Sequence, residues 1–323
     1  RLLIYLQPKA SWVTECGNVS SQILMSLEIN LQECMHKGLV GAIGAIPGTV
    51  CAHPFDVVKI RMQTSRTSDP FRGGIRKAIK AVAAGLERPG TPGALQASQF
   101  FRGLAPAMQQ KVITRAPMFL LAELCTQAYQ TAGLSRTQAC FVGCFCSGFI
   151  TGSAAALPEY RKVLQSQCVC GEGTSTVQAV MRAAVASGQT GSILIRMRSA
   201  GLRNAIFDSI FFGAQHTLSS HLASGPSYAC AAALAVTLDY SVDVVVKRMM
   251  VVPPQQALRP LMQSWLQLFR GHASVFHACA SVHAGLSAKA VEFSVSYFIT
   301  GTVGVSVAAS LQQLYDSTCS PKN

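Results

Sequence analysis

The residues with the most chemistry in them are three acid and base pairs, each set about one helical turn apart at the end of an apolar run. The first is Pro54-Phe55-Asp56-Val57-Val58-Lys59, followed by Gln63. The second is Pro158-Glu159-Tyr160-Arg161-Lys162, and the third is Ser241-Val242-Asp243 with Lys247. An acid and a base three or four residues apart share one face of a helix. Charges beside a membrane-length apolar run are costly unless they are paired or face water. What such pairs offer is therefore electrostatic. Pro54 and Pro158 cannot donate a backbone hydrogen bond and crowd the preceding turn, which predicts kinks at both.

The elements that must position these pairs are long and apolar. Half of the 323 residues are hydrophobic, 13% are charged and the mean hydropathy is +0.32, which argues against an ordinary soluble enzyme. Runs at 38–60, 103–125, 138–158, 202–223, 227–247 and 273–300 are each long enough to cross a bilayer. They are rich in Gly, Ala, Ser and Cys, the small residues that let membrane helices approach closely. Lys and Arg recur after alternate runs and bring the net charge to +13, so one face of the membrane is positive and suits anionic lipid or anionic solutes. Nucleic-acid binding needs a soluble reading surface that these runs do not supply.

Other chemistries find little support. Most of the twelve cysteines lie in apolar runs, where Cys acts as a small hydrophobe, so few or no disulfides are expected. Cys168 with Cys170, and Cys140 with Cys144, lack the His partners of a metal site. Gly171-Glu172-Gly173 lacks the Lys-Ser/Thr of a phosphate loop. No enzyme activity, catalytic residue, metal or redox cofactor is expected. Residues 21–37 place Leu24, Leu27 and Leu31 at helical spacing, which reads equally as an amphipathic surface helix or as an ordinary ordered extension.

The same order of segments recurs three times. Each apolar run ending in an acid and base is followed by a short helical segment, near 71–86, 176–187 and 258–268, and then by another apolar run. Phe101-Arg102-Gly103 opens the second run and Phe269-Arg270-Gly271 opens the sixth. This triple recurrence of Pro-x-acid-x-x-base, with aromatic-Arg-Gly opening even-numbered runs, resembles the mitochondrial carrier family over residues 38 to about 300. The resemblance implies an all-α membrane protein, with six transmembrane helices in three two-helix repeats of pseudo-threefold symmetry and short matrix-side helices. It divides the chain into an extension (1–37), repeats at 38–133, 134–224 and 225–300, and a tail (301–323). It also implies a multi-pass protein of the mitochondrial inner membrane, with cardiolipin or another anionic lipid bound.

In that family the acid and base of each repeat bridge to neighbouring repeats and lock the matrix side. Here the resemblance assigns the matrix gate to Pro54, Asp56, Lys59, Gln63, Pro158, Glu159, Lys162, Asp243 and Lys247. Strict alignment instead puts Tyr160, Val163 and Val246 at charged positions, so Glu159, Lys162 and Lys247 join only by a one-residue slip, about 100° of helical rotation. The inner lock is expected to be irregular. The family's outer lock would fall at Glu123, His216 and Glu292, which provide no base, so nothing visible closes that end. Substrate contacts carry over to Gln110 and Lys111, to Arg203 and Asn204, and to Ala278, with Asp208 an alternative partner for Arg203. On these departures the expected role is an accessory or structural subunit of a larger inner-membrane complex, respiratory or ATP synthase. The alternative is an active carrier exchanging small anions such as keto acids or dicarboxylates. Expected partners are membrane lipids, other inner-membrane subunits and a small anionic solute.

Overall fold

The computed structural model describes residues 30–64, 75–83, 100–101, 103–166, 176–252, 256–269, 283 and 285–319. Six long helices carry the fold: α1 (Leu31–Thr64), α3 (Leu104–Thr131), α4 (Arg136–Ser166), α6 (Thr190–Leu218), α7 (Ser224–Val251) and α9 (Leu286–Ile299). Between the members of each pair lies a short helix: α2 (Ile75–Ala83), α5 (Val177–Ala186) and α8 (Leu261–Phe269). After α9 the chain passes through a π-helical turn, Thr300–Gly304, into α10 (Val305–Cys319).

The three short helices fall where periodicity places them. Three of the long ones differ from the apolar runs. Helix α6 begins at Thr190, twelve residues before the run expected at 202, because its first turns carry Arg196 and Arg198 and break the hydropathy. Helix α9 begins only at Leu286, and residues 273–282 and 284 of the run expected at 273–300 lie outside the described residues. The helical run then crosses residue 300 without a break, so its apolar stretch continues into what composition treats as a tail. Helix α1 starts at Leu31, before the expected boundary at 38, and residues 21–29 of the amphipathic segment lie outside the described residues.

Each long helix packs on two neighbours, in the order α1, α3, α4, α6, α7, α9 and back to α1, which closes a ring. Close approach depends on small residues. A Cβ added at Gly148 of α4 would lie 2.6 Å from the Asn204 carbonyl oxygen of α6, and one at Gly44 of α1 would lie 2.7 Å from the Thr300 Cα. Gly103 and Gly285 open α3 and α9 with φ of 77° and 91°, values that favour glycine over residues with a Cβ. Helix α1 runs through Pro47 and Pro54, and α4 through Pro158.

Polarity is arranged inside out. Leu39, Ile46 and Val50 of α1 and Leu234 and Leu238 of α7 face outward, whereas Asp56, Lys59, Glu159, Asp243 and Lys247 are buried. Four stretches, Leu31–Gln63, Arg136–Leu164, Ser224–Val251 and Leu286–Leu311, are long and apolar enough to cross a membrane. Helices α3 and α6 have the length but carry Lys111 and Arg115, and Arg203 and Asp208, along the ring interior, while Arg196 is buried against Tyr160.

Candidate functional site

At the Pro54 end of the ring, charges from five of the six long helices converge. Lys59 bridges its own Asp56 at 2.7 Å and reaches Glu292 of α9 at 2.6 Å. Asp56 also binds Lys162 of α4 at 3.1 Å. Glu159 of α4 accepts a close charge-assisted hydrogen bond from Lys247 of α7. It also accepts a two-pronged bridge from Arg203 of α6, at 2.6 and 2.9 Å. Asp243 of α7 accepts from Arg203 at 3.2 Å and from Gln63 at 2.8 Å, and pairs with Lys289 of α9 at 3.3 Å. Lys289 also donates to Asp239 at 2.8 Å. These carboxylates are all at least nine-tenths buried, so each is held by a compensating cation, as buried charge requires.

The one-residue slip does not sever these contacts, although the three links are not equivalent. Glu159, Lys162 and Lys247, one residue out of strict register, do reach their partners. Tyr160, Val163 and Val246, the strictly aligned residues, sit instead in a buried apolar cluster with Ile60, Leu164 and Met250. Two links of a threefold ring are direct: Asp56 with Lys162, and Glu159 with Lys247. In the third, α9 inserts its own pair, so Lys59 turns to Glu292 and Asp243 is held by Lys289.

Above the ring lies a cavity of about 60 Å³, lined by Gln110, Lys111, Arg115, Arg203, Asp208 and Glu292 among others, with room for a few waters. Gln110 lies seven residues after Gly103, and Glu292 seven after Gly285, while Arg203 enters from α6. The contact expected at Ala278 rests on Gly271 as the opener of the sixth span. Ala278 lies outside the described residues, and the helix opens at Gly285. Glu292 therefore belongs to this level and not to the far end. Arg203 does not pair with Asp208. It is clamped by Glu159, Asp243 and the side-chain oxygen of Asn204, at 3.0 and 2.6 Å.

Beyond the cavity the axis is filled by aromatic side chains. Phe211 and Tyr297 have ring centroids 4.3 Å apart, a close contact, and Phe119 meets Phe212 edge-on at 5.2 Å, as Phe207 meets Phe293 at 5.0 Å, the latter two at spacings normal for aromatic pairs. With Met118 and Tyr228 they form one buried cluster. Phe207 and Tyr297 line the charged cavity, and Phe119, Phe212 and Tyr228 line a second cavity on the far side. The cluster thus separates the two. Glu123 and His216, expected at an outer lock, border the second cavity, where Glu123 accepts a hydrogen bond from Gln127 at 2.9 Å. Among the described residues no group of three or more His, Cys, Asp or Glu side chains is placed to hold a metal ion.

Sequence reasoning missed Asp239, Lys289 and Glu292 as ring members, Arg115 as a cavity residue, and the aromatic cluster. The signal available for Glu292 was its spacing from Gly285. The aromatics are scattered over four helices and carry no shared spacing.

Residues 32–133 match the family model described as mitochondrial carrier protein. A comparison with curated proteins gives no match.

Proposed function

We propose, from the match of residues 32–133 to the mitochondrial carrier family model, that the protein is a working solute carrier of the mitochondrial inner membrane. It moves a small carboxylate-bearing solute through the cavity above the charged ring, with that ring as the matrix-side gate. The observation that carries the reading is the ring itself. Replacing buried ion pairs by well-packed apolar residues is often neutral or stabilising, so a purely structural subunit gains little from eight or more buried charges on its axis. A lock that must open into water is a use that apolar packing cannot fill. In this reading solute binding draws Arg203 or a neighbouring cation out of the ring and offsets the cost of opening it, and the site is exposed to one side at a time.

An anionic lipid such as cardiolipin fits the same reading. Arg248 and Arg259 line a groove of about 350 Å³ beside α8, and the net charge of +13 favours anionic headgroups.

The test is counter-exchange of labelled small carboxylates by vesicles holding the purified protein. Saturable uptake by the wild type, lost when Glu159→Gln unbalances the ring, is expected. No uptake across the panel, together with stoichiometric co-migration with a respiratory or ATP-synthase assembly on a native gel, would replace this reading by that of an accessory subunit.

A further inference from the structure

The charged ring consumes nearly every ionic group on the axis, and what it leaves over has a pattern. Among the described residues Asp208 of α6, 2% exposed, forms no ion pair, and its Oδ2 has no hydrogen-bond partner. Arg115 of α3, 3% exposed, stacks its guanidinium 3.8 Å from the Tyr297 ring centre and donates from Nη2 to Ser296 at 3.3 Å, while its Nη1 has no partner. Lys111, one turn below Arg115, forms no ion pair with a carboxylate among the described residues, and its ammonium lies 5.2 Å from the Phe293 ring centre. All three line the same cavity, between the ring and the aromatic cluster. A buried polar atom without a partner costs free energy, and these atoms share one space that a ligand can enter.

Their signs choose the ligand. Two cations on α3 and one carboxylate on α6 enter from different sides of the ring, since α4 lies between those helices in the packing order. A plain anion would satisfy Lys111 and Arg115 but would offer no donor to Asp208 Oδ2, which would stay without a partner. A solute carrying both a carboxylate and an ammonium satisfies all three. We propose that Lys111, Arg115 and Asp208 form a zwitterion site and that the transported solute is a small amino acid, its carboxylate bound by Lys111 and Arg115 and its ammonium donating to Asp208. This rests on the carrier reading above, and names its substrate class.

The experiment compares uptake of labelled alanine and glutamate with uptake of pyruvate and 2-oxoglutarate, which share their carbon skeletons but lack the amine, in vesicles holding wild-type protein or Asp208→Asn. The wild type should prefer at least one amino acid over the oxo acids. Asp208→Asn should lower that uptake by about thirtyfold or more, as expected for truncating one partner of a buried charged contact, and Asp208→Glu should restore part of it. The preferred amino acid should also raise the midpoint of thermal unfolding of the wild type in detergent more than its oxo acid does. Oxo-acid uptake without amino-acid uptake would overturn the zwitterion site and leave the carrier reading standing, as would full amino-acid uptake by Asp208→Asn. Uptake of neither class by the wild type would sink both. Should Asp208→Asn fail to fold, the wild-type preference decides alone.

Discussion

The two boundaries of the central cavity share helices α6, α7 and α9 but are made by opposite chemistry. Toward Pro54, α4, α6, α7 and α9 present Glu159, Arg203, Asp243 and Lys289 to a network of ion pairs. About two turns further along, α6 and α9 present Phe211 and Tyr297 to an aromatic cluster. Buried charges held by hydrogen-bonded ion pairs are directional, and each needs a particular partner, so the ring end has one arrangement with a steep cost for losing any member. Aromatic contacts are set by volume and shape, so the other end can loosen or slide without exposing an unpaired charge. Under the carrier reading proposed above, the two ends open by different means: the ring when a charged solute competes for its members, the plug when side chains rotate and water enters an apolar constriction.

The comparison can be broken most directly at Glu159. Glu159→Gln leaves Lys247 and Arg203 short of a charge and should cost about 3–5 kcal/mol of stability, the usual price of stranding one partner of a buried pair. Thermal unfolding of purified protein in detergent would read it. Combining it with Lys247→Met should recover part of that loss, and a double variant no better than the single one would mean that the pair is not coupled. At the other end, Phe211→Ala should cost about 2–4 kcal/mol, below the upper range for soluble cores because lipid is itself apolar. Phe211→Leu should cost less than half as much, and vesicles holding Phe211→Ala should leak small solutes. Equal damage from Phe211→Leu and Phe211→Ala would mean that ring geometry and not volume is what matters there. Far from both ends, Thr176 caps α5 by accepting from the Ala179 amide at 3.0 Å. Thr176→Ala should cost about 1 kcal/mol and leave uptake unchanged. A larger loss, or altered uptake, would tie the short helices to the gate.

Much of this was legible from local pattern. Asp56 and Lys59, three residues apart on one helix, pair as their spacing dictates. The short helices lie near their expected segments because an amphipathic stretch between apolar runs has few alternatives. Helix α6 was misjudged in extent, because its first turns carry Arg196, which is buried in the structure, and Arg198, which is exposed, and hydropathy scores both as if they faced lipid.

Sequence by itself determined the long apolar helices, the recurring acid and base, and the likeness of the first repeat to one carrier family, since all of these are properties of neighbouring residues. Which charges meet was decided only by the tertiary structure. Lys59 and Glu292 are 233 positions apart, and whether a one-residue slip severs or keeps a contact depends on how each helix is rotated about its own axis within the ring. Rotation is fixed by packing on both neighbours, through contacts such as Gly148 against Asn204, and it turned Tyr160 and Val163 into an apolar cluster while Glu159 and Lys162 reached the centre. The same packing gathered aromatics from four helices onto one axis, which no spacing along the chain could announce.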